Sequence, residues 1–303
     1  MKSFIKFIFL GNYFIGLLAI ALSIESNVQL RLPLNSLTYY ILLFSVTVFY
    51  YTYAYIGPLN SKTSVNPRTN WYKQNHRFVL WSQRFLFILF SALSIYFLFK
   101  NFNAIMLLPF EYWLILFIML LCALLYYGLL PMSFYKLNLR NTGWLKAFII
   151  GFVWACCANL LSFIVLQIEK GEQSADPVLL LWLFVKNWMF CTVNAIMFDI
   201  KDYAHDSNQE LKTFVVRFGI KKTIYFILLP LIIVGLFALI AFATSRHFGA
   251  ITIIINLLPF ILLLMIAWSM LKPHKIMYYL IVIDGLIFFK ALCGITGMHF
   301  IHQ

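Results

Sequence analysis

Charged residues are scarce in this 303-residue chain, and acidic residues are the scarcest of all. Only 11% of the residues are charged and only 10 are Asp or Glu, whereas 63% are hydrophobic. An ordinary soluble domain is about a quarter charged, so this chain lacks the polar groups to cover a water-facing surface. The shortage of charge excludes a soluble globular protein and indicates an integral membrane protein.

Familiar ligand-binding motifs are also missing from the sequence. No P-loop, glycine-rich dinucleotide fingerprint, HExxH metal motif or lipidation motif occurs. The five cysteines all lie in apolar stretches, without zinc-like pairing or a disulfide framework, and we interpret them as small buried side chains. Any active site must therefore be built from other residues.

Nine apolar runs are long enough to cross the hydrocarbon layer, which needs about 20 residues. They are continuously apolar rather than alternating, and this pattern favours helices over the strands of a β-barrel. We predict an all-α polytopic membrane protein with one domain over residues 1–303, a bundle of about nine transmembrane helices around a central cavity. The predicted spans are 4–23, 37–57, 78–99, 108–130, 147–168, 178–199, 223–243, 249–271 and 277–299.

The net charge of +13 is interpreted first as topology, because cytoplasmic loops retain positive residues. Placing the N-terminus inside puts sixteen of the 23 basic residues in the cytoplasm, four outside and three within spans. This bias predicts a cytoplasmic N-terminus and an external C-terminus, in the inner membrane of a bacterium. Membrane lipids are the expected surroundings, and the basic surplus needs no nucleic-acid partner to explain it.

The ten acids are distributed unevenly along the chain. Asp284 is isolated inside the last predicted span, and a basic residue, Lys186, near the outer third of the sixth span, is expected to snorkel to the surface. Five acids near the external side are interpreted as solvated loop or interface residues: Glu25, Glu111, Glu169, Glu172 and Asp176. The remaining four form a cluster on the cytoplasmic side: Asp199, Asp202, Asp206 and Glu210.

Three of the clustered acids are candidate metal ligands. If the sixth helix continues past Asp199, spacings of three and seven residues place Asp199, Asp202 and Asp206 within about 60° of arc. Such a face repels itself unless a cation compensates it, and Mg²⁺ is commonly held by carboxylates together with phosphate oxygens. A solvated acidic helix end is the alternative interpretation.

Basic residues follow this acidic face closely. Lys212 and Arg217 lie within a few residues of Asp206, and cations beside metal-holding acids are typical of a site that stabilises a departing diphosphate. The positive-inside rule alone also explains basic residues at this place.

Two stretches resemble the UbiA-type intramembrane prenyltransferase superfamily. One stretch is Asn194-Ala-Ile-Met-Phe-Asp199-Ile-Lys-Asp202-Tyr-Ala-His-Asp206 with Lys212-Thr213 and Arg217-Phe-Gly219, which resembles the second aspartate-rich motif and the segment after it. The other runs from Tyr126-Tyr127 through Pro131, Tyr135-Lys136, Arg140 and Lys146 to Ile150-Gly151, and resembles a basic loop between two helices.

The resemblance implies a nine-helix bundle that transfers a prenyl group from its diphosphate to a lipophilic acceptor, or cyclises it, with Mg²⁺ as cofactor. It implies that Asp199, Asp202 and Asp206 are the catalytic, metal-holding residues. The residues that it implies for substrate binding are Asn194, Tyr127, Lys136, Arg140, Lys212 and Arg217.

One expected feature is absent. The superfamily's first aspartate-rich motif, after the second helix, has no counterpart, because no acid occurs between Asn27 and Phe110. Basic residues of that region can instead pair with phosphate oxygens, and Arg68 is the one we assign to substrate binding. The alternatives are a catalytically degenerate member that binds an isoprenoid or serves as a scaffold, and a transporter that uses Asp284 and Lys290.

Overall fold

The computed structural model describes residues 2–56, 67–126, 142–171, 175–203 and 211–300. Every regular element in this part of the chain is a helix, which confirms the predicted all-α class. In chain order the helices are α1 (Lys2–Leu10), α2 (Tyr13–Leu30), α3 (Leu37–Ile56), α4 (Pro67–Gln74), α5 (His76–Lys100), α6 (Phe102–Met106), α7 (Phe110–Tyr126), α8 (Leu145–Lys170), α9 (Pro177–Lys201), α10 (Phe214–Ser245), α11 (Ala250–Ser269) and α12 (Ile276–Phe300).

Seven of the described helices are long and apolar enough to cross a membrane: α2, α5, α8, α9, α10, α11 and α12. Helices α3 and α7 occupy the two other predicted spans, and both are apolar over a shorter length. The chain is therefore a polytopic integral membrane protein, and the predicted count of nine spans is an approximate one.

The first span begins later than the hydrophobic pattern predicts. A turn at Gly11 and Asn12 separates α1 from α2, and Asn12 has a left-handed backbone with φ 65°. Asparagine tolerates this conformation better than most residues. Its side-chain nitrogen also donates to Thr52 Oγ1 and to Tyr72 OH, both at 3.1 Å, so polar contacts to α3 and α4 stabilise the break.

Helix α9 lies at the centre of the bundle and packs against α8 and α10. It begins where a proline follows its N-cap, Asp176, whose carboxylate accepts a hydrogen bond of 2.8 Å from the amide of Val178. Gly151 of α8 permits a close approach, because a Cβ there would overlap Thr192 Oγ1 of α9. This close contact fixes α8 and α9 against each other.

A buried group of charges joins α2, α9 and α12. Glu25 of α2 is fully buried, and its carboxylate pairs with Lys186 of α9 and Lys290 of α12. The expectation that Glu25 is solvated is therefore wrong, and so is the expectation that Lys186 snorkels, because Lys186 is only 1% exposed. Both residues face neighbouring helices, where each supplies the charge that the other needs.

Candidate functional site

A cavity opens at the end of the bundle where α8 begins and α9 ends. Its wall combines five charged side chains that approach from α4, α8 and α9 with one carboxylate from α12. A polar cavity surrounded by apolar helices has the general character of a ligand site. The charged lining residues are Arg68, Lys146, Asp199, Lys201, Asp202 and Asp284.

The two predicted aspartates of α9 both line this cavity, and each is paired with a lysine. Lys146 Nζ, from the first turn of α8, lies 2.7 Å from Asp199 Oδ1. Lys201 Nζ lies 3.1 Å from Asp202 Oδ1. Asp199 is almost completely buried, whereas the side chain of Asp202 is 39% exposed. Negative and positive side chains therefore alternate along this wall. Such an arrangement suits an anion that is bound together with a metal cation.

Helix α9 is shorter than the helix that would carry Asp199, Asp202 and Asp206 on one face. It runs to Lys201, and Asp202 is its C-cap with φ −91° and ψ 5°. Asp199 and Asp202 nevertheless remain on the same cavity wall. Four of the predicted site residues lie outside the described residues: Tyr127, Lys136, Arg140 and Asp206.

Arg68 occupies the region where the first acidic motif is missing. It is 5% exposed, and its guanidinium donates to the carbonyl of Leu10 at 3.2 Å, to Tyr55 OH at 3.1 Å and to Asn12 Oδ1. The guanidinium carbon also lies 4.4 Å from the centre of the Tyr55 ring. Burial raises the pKa of the neighbouring Tyr72 to about 12, so this hydroxyl stays neutral near pH 7. Arg68 is thus a fixed positive group in the cavity wall.

Asn194 lies deeper in the same cavity. The residue is 2% exposed, and its side-chain nitrogen donates to the carbonyl of Phe190 at 2.7 Å. Its side-chain oxygen has no hydrogen-bond partner among the described residues. Buried polar atoms are usually paired, so this oxygen is suited to a donor group of a ligand. The predicted placement of Asn194 in the site is compatible with this geometry.

Lys212 and Arg217 do not line the cavity. Both side chains are exposed near the start of α10. The residues between and after them have structural roles: Thr213 caps α10 by accepting a bond from the amide of Val216, and Gly219 has φ 78°, which favours glycine. The segment therefore begins α10 close to where α9 ends, and its two cations lie outside the cavity wall.

A second, apolar chamber adjoins the cavity between α2, α3, α7 and α8. The two share Tyr51, Tyr126, Ile150 and Trp154, and Trp154 Nε1 donates to Tyr51 OH at 2.6 Å where they meet. Aromatic faces at this junction can stabilise positive charge. A charged chamber beside an apolar one suits a molecule with a charged head and a long apolar tail.

Sequence reasoning did not assign three of the charged lining residues to the site: Lys146, Lys201 and Asp284. Lys146 was recognised only as part of a basic loop, and Asp284 only as an isolated charge. Their positions depend on how α8, α9 and α12 pack together, which local spacing does not encode. The one available signal for Asp284 was its depth in an apolar span, since charged residues there usually face a cavity or a partner.

Comparison with known proteins agrees with the architecture. The model of the UbiA prenyltransferase family matches residues 81–276, which is well over half of the chain. A solved structure from a study of the biosynthesis of digeranylgeranylglyceryl phosphate synthase in membranes superposes with a TM-score of 0.56 at 16% identity, covering 98% of this chain and 99% of that chain. No curated protein sequence matches. The chain belongs to the UbiA prenyltransferase family.

Proposed function

We propose that the protein transfers a prenyl group from a prenyl diphosphate to a lipophilic acceptor inside the membrane. The observation that carries this proposal is that two chambers, one ion-rich and one apolar and aromatic, lie side by side and share four lining residues. The diphosphate binds among the charges at the end of the bundle, and the prenyl chain extends into the apolar chamber. Family membership supports prenyl transfer over the transporter alternative.

Three cations of the cavity wall bind the diphosphate oxygens. Arg68 offers a planar fork, while Lys146 and Lys201 turn from their aspartates toward the phosphates when the substrate arrives. Arg68 thereby supplies positive charge in the region that lacks the first acidic motif. Lys212 and Arg217 raise the local concentration of the anion from outside the cavity, and we assign Lys136 and Arg140 to the attraction of the same anion.

The donor set at Asp199 and Asp202 fits magnesium when phosphate oxygens complete the shell. No group of three or more metal-ligating side chains occurs in the part of the chain that the structure describes, so Asp199 and Asp202 need further ligands to complete the shell. Mg²⁺ is usually held in such a way, by one or two carboxylates plus the substrate. Asp199 and Asp202 would hold it, with Asp206 as a further ligand, and it would neutralise charge on the departing diphosphate.

The reaction begins with ionisation of the prenyl diphosphate, and the acceptor then captures the prenyl cation. The bond between the first prenyl carbon and its diphosphate oxygen breaks, and both electrons remain with the diphosphate. Arg68, Lys146 and Lys201 stabilise this charge, while Tyr51 and Trp154 face the allylic cation. The acceptor then attacks the cation, and water is excluded by the surrounding helices. Intramolecular cyclisation uses the same first step. Asn194 and Tyr127 contribute polar contacts to the bound substrate.

A catalytically degenerate binding protein is the second candidate. It is favoured by one observation, the absence of any acid between Asn27 and Phe110, which removes the carboxylates of the first motif. In that case the same cavity binds an isoprenoid diphosphate without cleaving it.

A turnover assay distinguishes the two candidates. The purified full-length chain in lipid nanodiscs is incubated with radiolabelled farnesyl or geranylgeranyl diphosphate, Mg²⁺ and a lipid extract of the native membrane. Prenylated or cyclised product, abolished in Asp202→Asn, supports the enzyme. Tight binding with no product supports the degenerate member, and neither binding nor product refutes both. Glu111→Gln, an exposed acid on α7 outside the cavity, is the matched control.

A further inference from the structure

A small pocket lies between α3, α5 and α8, at the end of the bundle opposite the cavity. Lys100 and Lys170 line it, and they are the last residues of the two long spans α5 and α8. A transmembrane helix usually ends where the hydrocarbon layer gives way to the lipid headgroups. The pocket therefore lies at the depth of the headgroups.

Hydrogen bonds between α3 and α8 hold the walls of this pocket in place. Ser36 directly precedes α3, and both its amide and its hydroxyl donate to the carboxylate of Glu169, the amide at 2.9 Å. Lys170 Nζ donates to the carbonyl of Leu34 at 2.8 Å. The start of α3 is thus tied to the end of α8, and the pocket has a fixed shape on this side.

The lining side chains leave the pocket with an excess of positive charge. Glu169 is acidic, but both of its carboxylate oxygens already accept hydrogen bonds from Ser36. Neither Lys100 nor Lys170 forms an ion pair with an acid in the part of the chain that the structure describes. Two lysines beside one carboxylate give a net charge of one positive unit, which an anion can neutralise.

Several hydrogen-bond donors of the pocket are not used by the fold. Lys100 Nζ lies 5.8 Å from the centre of the Tyr96 ring and makes no hydrogen bond to a described residue. The hydroxyl of Thr38, another lining residue, also has no such bond. An ammonium group has three donors and no acceptor, so Lys170 keeps donors beyond the one that it gives to Leu34. A ligand for these groups must offer several acceptor oxygens.

The apolar surroundings restrict which anion is suitable. Leu37 and Phe99 are chain neighbours of lining residues, and they are 73% and 81% exposed. Such exposed apolar side chains contact acyl chains when the helix crosses a membrane. A phosphodiester carries one negative charge, which matches the charge of the pocket. Basic pockets between transmembrane helices are also known to bind lipid headgroups.

We propose that this pocket binds the phosphodiester group of a membrane phospholipid. Lys100 and Lys170 contact the phosphate oxygens, and the hydroxyl of Thr38 donates to one of them. The acyl chains lie along the apolar surfaces of α3 and α5. The bound lipid therefore joins the ends of α3, α5 and α8. Because the pocket is at the opposite end of the bundle from the cavity, this inference does not depend on the proposed prenyl transfer.

Native mass spectrometry of the purified full-length chain in detergent tests the site. Dimyristoyl phosphatidylglycerol is titrated into the sample, and the dissociation constant of the first bound lipid is measured. The double change Lys100→Gln and Lys170→Gln should weaken this binding by about tenfold or more, because two charge-assisted contacts are lost. The double change Lys100→Arg and Lys170→Arg keeps both charges and should bind within about threefold of wild type.

The matched control removes two lysines elsewhere. Lys221 and Lys222 are exposed on α10, toward the end of the bundle that contains the cavity. The double change Lys221→Gln and Lys222→Gln removes the same amount of charge, and its lipid binding should equal that of wild type. Binding of radiolabelled geranylgeranyl diphosphate should be unchanged in both pocket variants, which shows that they are folded.

Two further probes need no variant and separate a phospholipid from a free anion. Dimyristoylglycerol lacks the phosphate and should bind wild type at least about tenfold more weakly than the phospholipid does. Inorganic phosphate lacks the acyl chains and should not displace the bound lipid. Unchanged lipid binding in the glutamine variant of the pocket, an equal loss in the control variant, equal binding of dimyristoylglycerol, or displacement by inorganic phosphate would each overturn the phospholipid site.

Discussion

Lys290 Nζ lies 2.6 Å from Glu25 Oε2, and the other oxygen of the same carboxylate lies 3.3 Å from Lys186 Nζ. All three side chains are buried, so one negative charge holds two positive ones between α2, α9 and α12. Gln29 accepts a bond from Lys186 at 2.6 Å and donates to Asn256 of α11 at 2.9 Å. A polar group of this kind specifies which helices pack together.

Glu25→Gln should therefore be strongly destabilising. The change leaves two ammonium groups buried without a counter-charge, and breaking a buried ion pair on one side typically costs about 3 to 5 kcal/mol. Thermal unfolding in detergent should show a much lower midpoint. Glu111→Gln, where the acid is exposed, should unfold like wild type. Equal unfolding midpoints for the two variants would mean that the pairing of Glu25 with Lys186 and Lys290 contributes nothing to stability.

Lys146→Met should weaken diphosphate binding by about tenfold or more, because one charge-assisted contact is worth about 1.5 to 3 kcal/mol. The lysine starts 2.7 Å from Asp199 and is positioned to move to a phosphate oxygen. Binding of radiolabelled geranylgeranyl diphosphate measures the effect. Lys170→Met is the matched control, because this exposed lysine is at the other end of α8. A similar loss in both variants would remove the special role of Lys146.

The class of fold and part of the site were predictable from the sequence. Continuous apolar runs identify helices, and the spacing of Asp199 and Asp202 placed both on one wall of the cavity. The pairing of Glu25 with Lys186 and Lys290 was not predictable, because these residues are 161 and 265 positions apart in the chain. Hydropathy identifies the segments that lie in the membrane, and it carries no information about which helices pack against each other.

Arg68→Lys should impair both stability and binding. The guanidinium bonds to three groups in different directions and stacks on Tyr55, and a single ammonium cannot reproduce this geometry. We expect a lower unfolding midpoint and weaker binding of geranylgeranyl diphosphate. Arg84→Lys, on the exposed face of α5, should change neither measurement. Unchanged binding in Arg68→Lys would refute the proposed contact with the diphosphate.

Two glycines offer a clean test of backbone strain. Gly219 has φ 78° and ψ 162°, a conformation that costs other residues about 1 to 3 kcal/mol. Gly285 lies within α12, where alanine is favoured by about 0.5 to 1 kcal/mol. A new Cβ would meet no atom within 4 Å at either position. Gly219→Ala should thus lower the unfolding midpoint and Gly285→Ala should not. The reverse order would contradict the strain at the start of α10.

Ala123→Phe should shorten the prenyl chain that the protein accepts. Ala123 lines the apolar chamber from α7, and a phenyl ring there fills part of the space proposed for the chain. Overfilling a packed space costs about 1 to 3 kcal/mol, and a longer tail meets more of that obstruction. Binding of geranylgeranyl diphosphate should fall by about tenfold relative to farnesyl diphosphate. Leu120→Phe, one turn earlier on the exposed side of α7, should leave the ratio unchanged. An unchanged ratio in Ala123→Phe would place the prenyl chain outside this chamber.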